Sequence, residues 1–286
     1  MSTAEPRYCY RHPDRETGLS CSDCGRPICA DCATFAPVGI RCPDHAGVRK
    51  PRVRPRPVVR APGTALASGQ APVTRILIAI NIAVYLVTAV QGAGLNNPGG
   101  HWFLKMLLFG PYVANGGWWR LVTAMFLHGS VLHIAFNMFA LWVIGSPVEQ
   151  YLGRARYVGL YFVSGLAGSA GALLQTPLTP VVGASGAIFG ILGAMLIIEW
   201  QVTGRLAGNA LTWIVINLAI SFTIPNVSWG GHVGGLVGGI LVTLAFANWG
   251  RGHAAYGRIG PVGVLGLAVV AAGSVAIAYW KVRGYA

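Results

Sequence analysis

The stretch VVGASGAIFGILGAM, Val181 to Met195, decides how this chain is read. It sits among long apolar segments, yet it sets a serine between glycines. Small residues at membrane-helix interfaces let backbones approach closely, and Gly186, Gly190 and Gly193 have the spacing for that role. A serine in such a helix can also satisfy its hydroxyl on its own backbone. Packing and chemistry both explain the stretch taken alone, so other residues must separate them.

Of 286 residues, 54% are hydrophobic and only 10% are charged. An ordinary soluble domain is roughly a quarter charged, so the composition is that of a membrane protein. All six cysteines fall between Cys9 and Cys42, and six of the eight acidic residues lie at or before Asp44. Composition breaks near residue 46. The expected organisation is a small cysteine-rich module at 1–46, a basic Pro-rich linker at 47–72, a membrane core at 73–250, and a loop with a last span at 251–286. The formal charge of +13 raises nucleic acid as a partner. However, RKPRVRPRPVVR, Arg49 to Arg60, supplies six of the cations just before the first apolar segment, as the positive-inside rule requires. No nucleic acid is therefore expected, and the linker is expected to lie on anionic lipid headgroups.

Seven apolar segments follow, at about 73–91, 130–147, 157–174, 183–199, 208–224, 230–248 and 261–280. Most approach the ~20 residues needed to span a bilayer. All are expected to be helical, because backbone groups in lipid must be satisfied internally and nothing alternates like a barrel strand. The first seventy residues lack the apolar core of a signal peptide, so the amino terminus is expected to stay in the cytoplasm. Arg154, Arg156, Arg205, Arg251 and Arg258 then fall in cytoplasmic loops, consistent with their charge, whereas Lys281 and Arg283 would lie outside, against the rule. The first loop contains HWFLKMLLFGPYVANGGWWRLVTAMFLHG (residues 101–129), apolar and aromatic but broken by Gly, Pro and Asn. That pattern suits a segment lying in the outer interface.

Ionisable groups within spans are costly and mark function. His133 and Asn137 stand four residues apart on one face of the second span, His128 lies just before it, and His232 stands in WGGHVGGLVGG of the sixth. Ser185 is 14 residues from Glu199 and His232 is 17 from Trp249. At ~1.5 Å per residue both lie roughly 21–25 Å from the inner face, so they share a level. Glycines on the fourth and sixth segments permit the close crossing a Ser–His hydrogen bond requires. The reading is a serine nucleophile activated by a histidine base. After Asp44 the only acids are Glu149 and Glu199, both at cytoplasmic ends, so a dyad is expected instead of a triad. The same scarcity excludes an aspartyl intramembrane protease, and no His-Glu-x-x-His is present for a metalloprotease. A proton-coupled transporter would have only the histidines to work with.

Taken together, GASGAIFG, HIAFN, WWR and GGHVGG resemble the rhomboid family of intramembrane serine proteases over about residues 73–250. The resemblance implies an all-α polytopic membrane protein, with a six-helix rhomboid core and a seventh carboxy-terminal span. It further implies Ser185 as nucleophile and His232 as general base, with an oxyanion hole made by His133, Asn137 and the Ser185 backbone N–H. Trp119 and Arg120 match the family's structural motif in the first outer loop, and Glu149 matches its stabilising acid. Phe189 takes the place of a tyrosine that stacks on the histidine in many members. Gly183 and His128 line the site, where Gly183 and Gly186 leave room for a substrate backbone. No cofactor is implied for catalysis. The expected substrates are single-span membrane proteins cut in or next to their transmembrane segment, and the expected location is the plasma membrane of a prokaryote. A catalytically silent relative that binds membrane proteins is the alternative, with a transporter more remote.

The amino-terminal module carries Cys9, His12, Cys21, Cys24, Cys29, Cys32, Cys42 and His45 as four pairs, each separated by two residues. Eight ligands fit two tetrahedral zinc ions, and a reducing cytoplasm disfavours disulfides. The arrangement resembles a B-box zinc finger. That resemblance implies a cross-brace, with Cys9, His12, Cys29 and Cys32 on one ion and Cys21, Cys24, Cys42 and His45 on the other, while the spacing alone leaves sequential pairing open. Four protein ligands per ion make both zincs structural. A protein partner or a substrate's cytoplasmic tail is expected to dock on this module.

Overall fold

A computed structural model describes residues 6–36, 39–46, 71–223, 227–249, 252–254 and 259–286. The chain divides into two compact units, residues 1–58 and 59–286. Nearly all of the linker expected at 47–72, including its basic run, lies outside the described residues, as do Arg251 and Arg258.

The first unit holds two short antiparallel hairpins. Strand β1 (Tyr8–Cys9) pairs with β2 (His12–Glu16), and β3 (Thr34–Phe35) pairs with β4 (Ile40–Arg41). Its buried core is five of the cysteines and Ile28. So few apolar side chains supply little folding free energy in a domain this small.

The second unit is helical. Its main helices are α1 (Pro72–Gln91), α2 (Val131–Leu152), α3 (Arg154–Gln175), α4 (Ser185–Thr203), α5 (Asn209–Thr223), α6 (Trp229–Phe246) and α7 (Pro261–Val282). All but α5 are long and apolar enough to cross a membrane. Helix α5 has 15 residues, about 22 Å at the helical rise. Pro225 stands two residues beyond its end in the sequence, and a helix ends at or before the residue preceding a proline.

Helix α3 lies at the centre, with 67% of its apolar window buried, and α7 lies at the periphery, with 17%. Between α3, α4 and α6 the contact is made by glycine. A Cβ on Gly235 would fall on the Gly186 carbonyl, and one on Gly239 would fall on that of Gly190. Bare backbone at these two positions lets α6 lie against α4, which a bilayer favours through packing instead of water exclusion.

Three boundaries differ from the sequence expectation. Helix α2 runs to Leu152, with a π-helical turn at Leu141–Gly145, so Glu149 sits inside the helix and is buried instead of marking the water boundary. Its carboxylate accepts the Val73 and Thr74 amides of α1 at 3.0 and 2.7 Å and the Thr74 hydroxyl at 2.8 Å. Arg154 and Arg156 belong to the first turn of α3 and not to a loop, because the chain turns at Gly153, whose φ is +81°. Arg156 is buried, donating to the Leu152 carbonyl and lying over the Phe246 ring. Helix α4 starts at Ser185, two residues later than the apolar run. Glu199 near its far end accepts the Ala210 amide of α5 at 3.0 Å. Both acids of the membrane unit therefore serve as N-terminal caps for a neighbouring helix, where free N–H groups and the helix dipole favour negative charge.

Candidate active site

Ser185 is the first residue of α4, so its own amide has no carbonyl one turn back to accept it. The chain enters this helix through Gly183, whose φ of +129° is open chiefly to glycine. Gly183 N–H donates to the Ala124 carbonyl at 3.0 Å, and Val181 exchanges two backbone hydrogen bonds with Leu108. The long first loop thus holds the segment that leads into Ser185.

That loop is not irregular. It folds into short helices at Gly100–Met106, Gly110–Ala114 and Arg120–Thr123. Arg120 Nη1 donates to the Leu104 and Leu107 carbonyls at 2.6 and 3.0 Å, and Trp119 Nε1 donates to the Lys105 carbonyl at 3.0 Å. These are the free carbonyls at the end of the first short helix, which a cation and an indole N–H complement. Ser169 of α3 donates to Leu121 O at 2.7 Å and fixes the loop to the bundle.

His232 is placed by the start of α6. The Ser228 hydroxyl caps the helix by accepting from Gly231 N–H, and the Gln175 side chain at the end of α3 accepts from Gly230 N–H at 2.7 Å. One turn of backbone is thereby fixed between α3 and α4. His232 Nε2 lies 2.7 Å from Ser185 Oγ. The Phe189 ring stacks on the imidazole, with centroids 4.3 Å apart and planes 15° from parallel. On the other side of the ring, Nδ1 lies 2.5 Å from the Ser221 hydroxyl of α5.

His133 flanks the same space. Its Nδ1 accepts from Gly129 N–H at 3.4 Å, which leaves the proton on Nε2. A Cβ placed on Gly183 would be 2.8 Å from that Nε2 and 3.8 Å from Ser185 Oγ, so the two atoms border one pocket of room beside Gly183. Asn137 is buried one turn further along α2 and donates one Nδ2 hydrogen to the His133 carbonyl at 2.9 Å. Its amide keeps a second N–H, and no hydrogen bond joins it to Ser185 in this arrangement. His128 is fully buried and edge-on to the His133 ring.

Ser185, His232, Phe189, His133 and Gly183 therefore come together, with Asn137 and His128 immediately behind His133. Trp119, Arg120 and Glu149 do not touch the site and act on the scaffold around it. Sequence reasoning missed Ser221. The signal was available: α5 and α6 are consecutive helices joined by a short connection, so a serine near the end of one is level with a histidine near the start of the next. It was hidden because serine is unremarkable in an apolar helix, where it commonly bonds its own backbone.

In the amino-terminal unit, the ligand atoms of Cys9, His12, Cys29 and Cys32 lie within 4.8 Å of one another, as do those of Cys21, Cys24, Cys42 and His45. The grouping is the cross-braced one. His12 Nδ1 is 3.4 Å from the Cys29 and Cys32 sulfurs, and His45 Nδ1 is 3.2 Å from that of Cys42. Zn–S bonds of about 2.3 Å and Zn–N bonds of about 2.0 Å, set at tetrahedral angles, require separations of about this size. Burial pushes the Cys9 and Cys21 thiols up. Backbone N–H groups outweigh it, those of Cys29 and Arg11 for the first and of Cys42 and Asp23 for the second, and bring both from 9.0 to about 6. Cys32 in the first cluster goes the other way, pushed up to about 11 by burial and by its Cys29 and Cys9 neighbours. By composition and spacing, the two Cys3His clusters could bind metal ions.

Comparison with known proteins gives consistent matches. A family model described as "Rhomboid domain" matches residues 115–249. The rhomboid protease GluP of Bacillus subtilis is 34% identical over 186 residues, covering 62% of this chain and 35% of that protein. The putative rhomboid protease YdcA of the same organism is 36% identical over 136 residues, covering 46% of this chain and 68% of that protein. RHOMBOID-like protein 5 of Arabidopsis thaliana is 39% identical over 142 residues, covering 46% and 44%. The chain thus spans about a third of GluP, under half of the plant protein and two thirds of YdcA.

Proposed function

This chain belongs to the rhomboid family, and from that premise we propose that it is an intramembrane serine endopeptidase using a Ser185–His232 dyad. Together with the six long apolar helices among the described residues, membership makes it an integral multi-pass membrane protein. The observation that carries the proposal is the 2.7 Å contact between Ser185 Oγ and His232 Nε2, beside a space kept open by Gly183.

In the proposed reaction, Ser185 Oγ attacks the scissile carbonyl carbon as its proton passes to His232 Nε2. The carbonyl oxygen becomes an oxyanion, which the Ser185 amide, the His133 Nε2–H and the second N–H of Asn137 stabilise. Collapse of the tetrahedral intermediate breaks the C–N bond, and His232 returns the proton to the leaving amine. Water then attacks the acyl-enzyme by the same route, releasing the acid and restoring Ser185. Phe189 holds the imidazole plane by stacking, and His128 fills the space behind His133.

The substrates we propose are single-span membrane proteins, cut in or beside the transmembrane segment. Relatives named as rhomboid proteases support membrane proteins as the general class of substrate. The orientation we propose puts the amino-terminal module in the cytoplasm of a prokaryotic cell, supported by Arg154 and Arg205 at the Glu149 and Glu199 ends of the helices. We assign residues 1–46 as a B-box-like finger with two structural zinc ions, 47–72 as the basic linker, 73–250 as the protease core and 251–286 as the last loop and span. The zinc ions would hold the hairpins together, where the small core cannot.

The test uses the full chain in detergent with a fluorophosphonate probe and a tagged single-span protein. Labelling of Ser185 and cleavage, both abolished by Ser185→Ala in folded protein, are expected. Cleavage by Ser185→Ala at the wild-type rate overturns the assignment.

A further inference from the structure

We propose that Ser221 is a positioning residue for His232: its hydroxyl oxygen accepts the Nδ1–H and fixes the tautomer that leaves Nε2 free to take the Ser185 proton. The inference rests on the dyad reading above and extends it to α5, a helix to which no role in the chemistry has been given so far.

The contacts of Ser221 fix where the protons lie. Ser221 Oγ lies 2.5 Å from His232 Nδ1 and 2.6 Å from the Asn217 carbonyl oxygen one turn back. The carbonyl is an acceptor only, and the hydroxyl has a single hydrogen. Both short contacts are hydrogen bonds only if that hydrogen points to Asn217 and Nδ1 carries a proton of its own. A neutral imidazole protonated at Nδ1 has its lone pair at Nε2. Nε2 faces Ser185 Oγ, where a lone pair is what a general base needs.

The result is one directed series. Ser185 O–H donates to His232 Nε2, His232 Nδ1–H donates to Ser221 Oγ, and Ser221 O–H donates to Asn217 O. The opposite tautomer would turn an N–H toward Ser185 and leave it without a base. Ser221 and His232 are both buried, so water does not compete freely for Nδ1. After Ser185 gives up its proton, the imidazolium keeps its Nδ1–H on the same oxygen, a charge-assisted bond stronger than the neutral one. This is the orienting job of the third member of a triad, carried out by a neutral hydroxyl where both acids of the membrane unit are committed to helix ends.

The inference also places a demand on α5. Its carbonyl at Asn217 and its hydroxyl at Ser221 must stay in register with α6 for His232 to remain a base. A displacement of α5 that lengthened the Ser221–His232 contact would release the ring to either tautomer, without touching Ser185.

The experiment compares wild type, Ser221→Ala and Ser221→Thr as full chains in detergent. The readouts are the fluorophosphonate labelling rate at Ser185, the thermal midpoint, and the 15N resonances of His232, which distinguish Nδ1–H from Nε2–H. Expected are an Nδ1-protonated His232 in wild type, a roughly 10–100-fold slower labelling rate in Ser221→Ala with mixed tautomers, and recovery of rate and tautomer in Ser221→Thr, which keeps the hydroxyl. An Nε2-protonated His232 in wild type overturns the inference, as does a wild-type labelling rate in folded Ser221→Ala. Should Ser221→Ala fail to fold, the wild-type tautomer and the Thr variant still decide. If wild type itself does not label, the protease reading fails, while the tautomer of His232 continues to test the role of Ser221.

Discussion

Gly183 and His133 compete for the same space: a Cβ on Gly183 would lie 2.8 Å from His133 Nε2. The backbone at Gly183 also has a φ of +129°, which side-chain-bearing residues rarely adopt. Gly183→Ala must therefore either push the His133 ring aside or strain the turn into α4, at a cost of order 1–3 kcal/mol. We expect roughly tenfold or greater loss of kcat on a single-span substrate, with α4 still folded. An alanine variant with wild-type kcat contradicts the geometry.

In the proposed reaction, oxyanion stabilisation is separable from the attack. Asn137→Ala is expected to lower turnover by up to roughly 10²–10³, the range for loss of one oxyanion donor, while leaving more residual activity than Ser185→Ala. His133→Ala should act similarly, and its thermal midpoint must be measured beside the rate because His133 also faces His128. If Asn137→Ala cleaves at the wild-type rate with chemistry limiting, its amide serves only the His133 carbonyl.

Glu149 tests the scaffold. Its carboxylate accepts the Val73 and Thr74 amides and the Thr74 hydroxyl, all from α1. Glu149→Ala strands these donors in a buried place, and hydrogen bonds to charged groups contribute roughly 1.5–3 kcal/mol each. A clearly lowered thermal midpoint is expected, with Glu149→Gln intermediate, because an amide oxygen can still accept. The labelling rate at Ser185 per folded molecule should be nearly unchanged. Unaltered stability in Glu149→Ala would remove the capping role.

Metal content tests the amino-terminal unit. Elemental analysis of the full chain should give two zinc ions, lost with residues 1–46 and reduced by one in Cys29→Ser or in Cys42→Ser. Bound metal requires deprotonated thiols and neutral imidazoles, so retention should be full near neutral pH and fall as pH is lowered and protons compete. A single zinc in the intact chain rejects the two-site assignment.

Much of the site was legible because its residues break the rules of their surroundings. Ser185 between glycines, His232 among glycines, and His133 with Asn137 on one face all stand out in apolar helices. Equal helical rise from the inner ends brought Ser185 and His232 to one level, and they meet at 2.7 Å. The cysteine pairs likewise announced two clusters that could hold metal, although their spacing permitted two groupings. Cross-bracing is decided by the hairpins, which bring Cys29 and Cys32 to His12.

Tertiary structure decided the rest, and always through groups whose role depends on a neighbour in space. Hydropathy ended α2 near residue 147, because a charged residue at 149 reads as water; the α1 amides make burial of Glu149 favourable and let the helix run on to Leu152. Ser221 is an ordinary serine until α6 sets His232 Nδ1 against it. Which residues are chemically out of place in lipid can be read from the chain alone, since that depends only on each side chain and its local run. Which donor meets which acceptor was left to the packing of α3, α4, α5 and α6, because hydrogen bonds are directional over a few ångströms and local sequence does not carry that geometry.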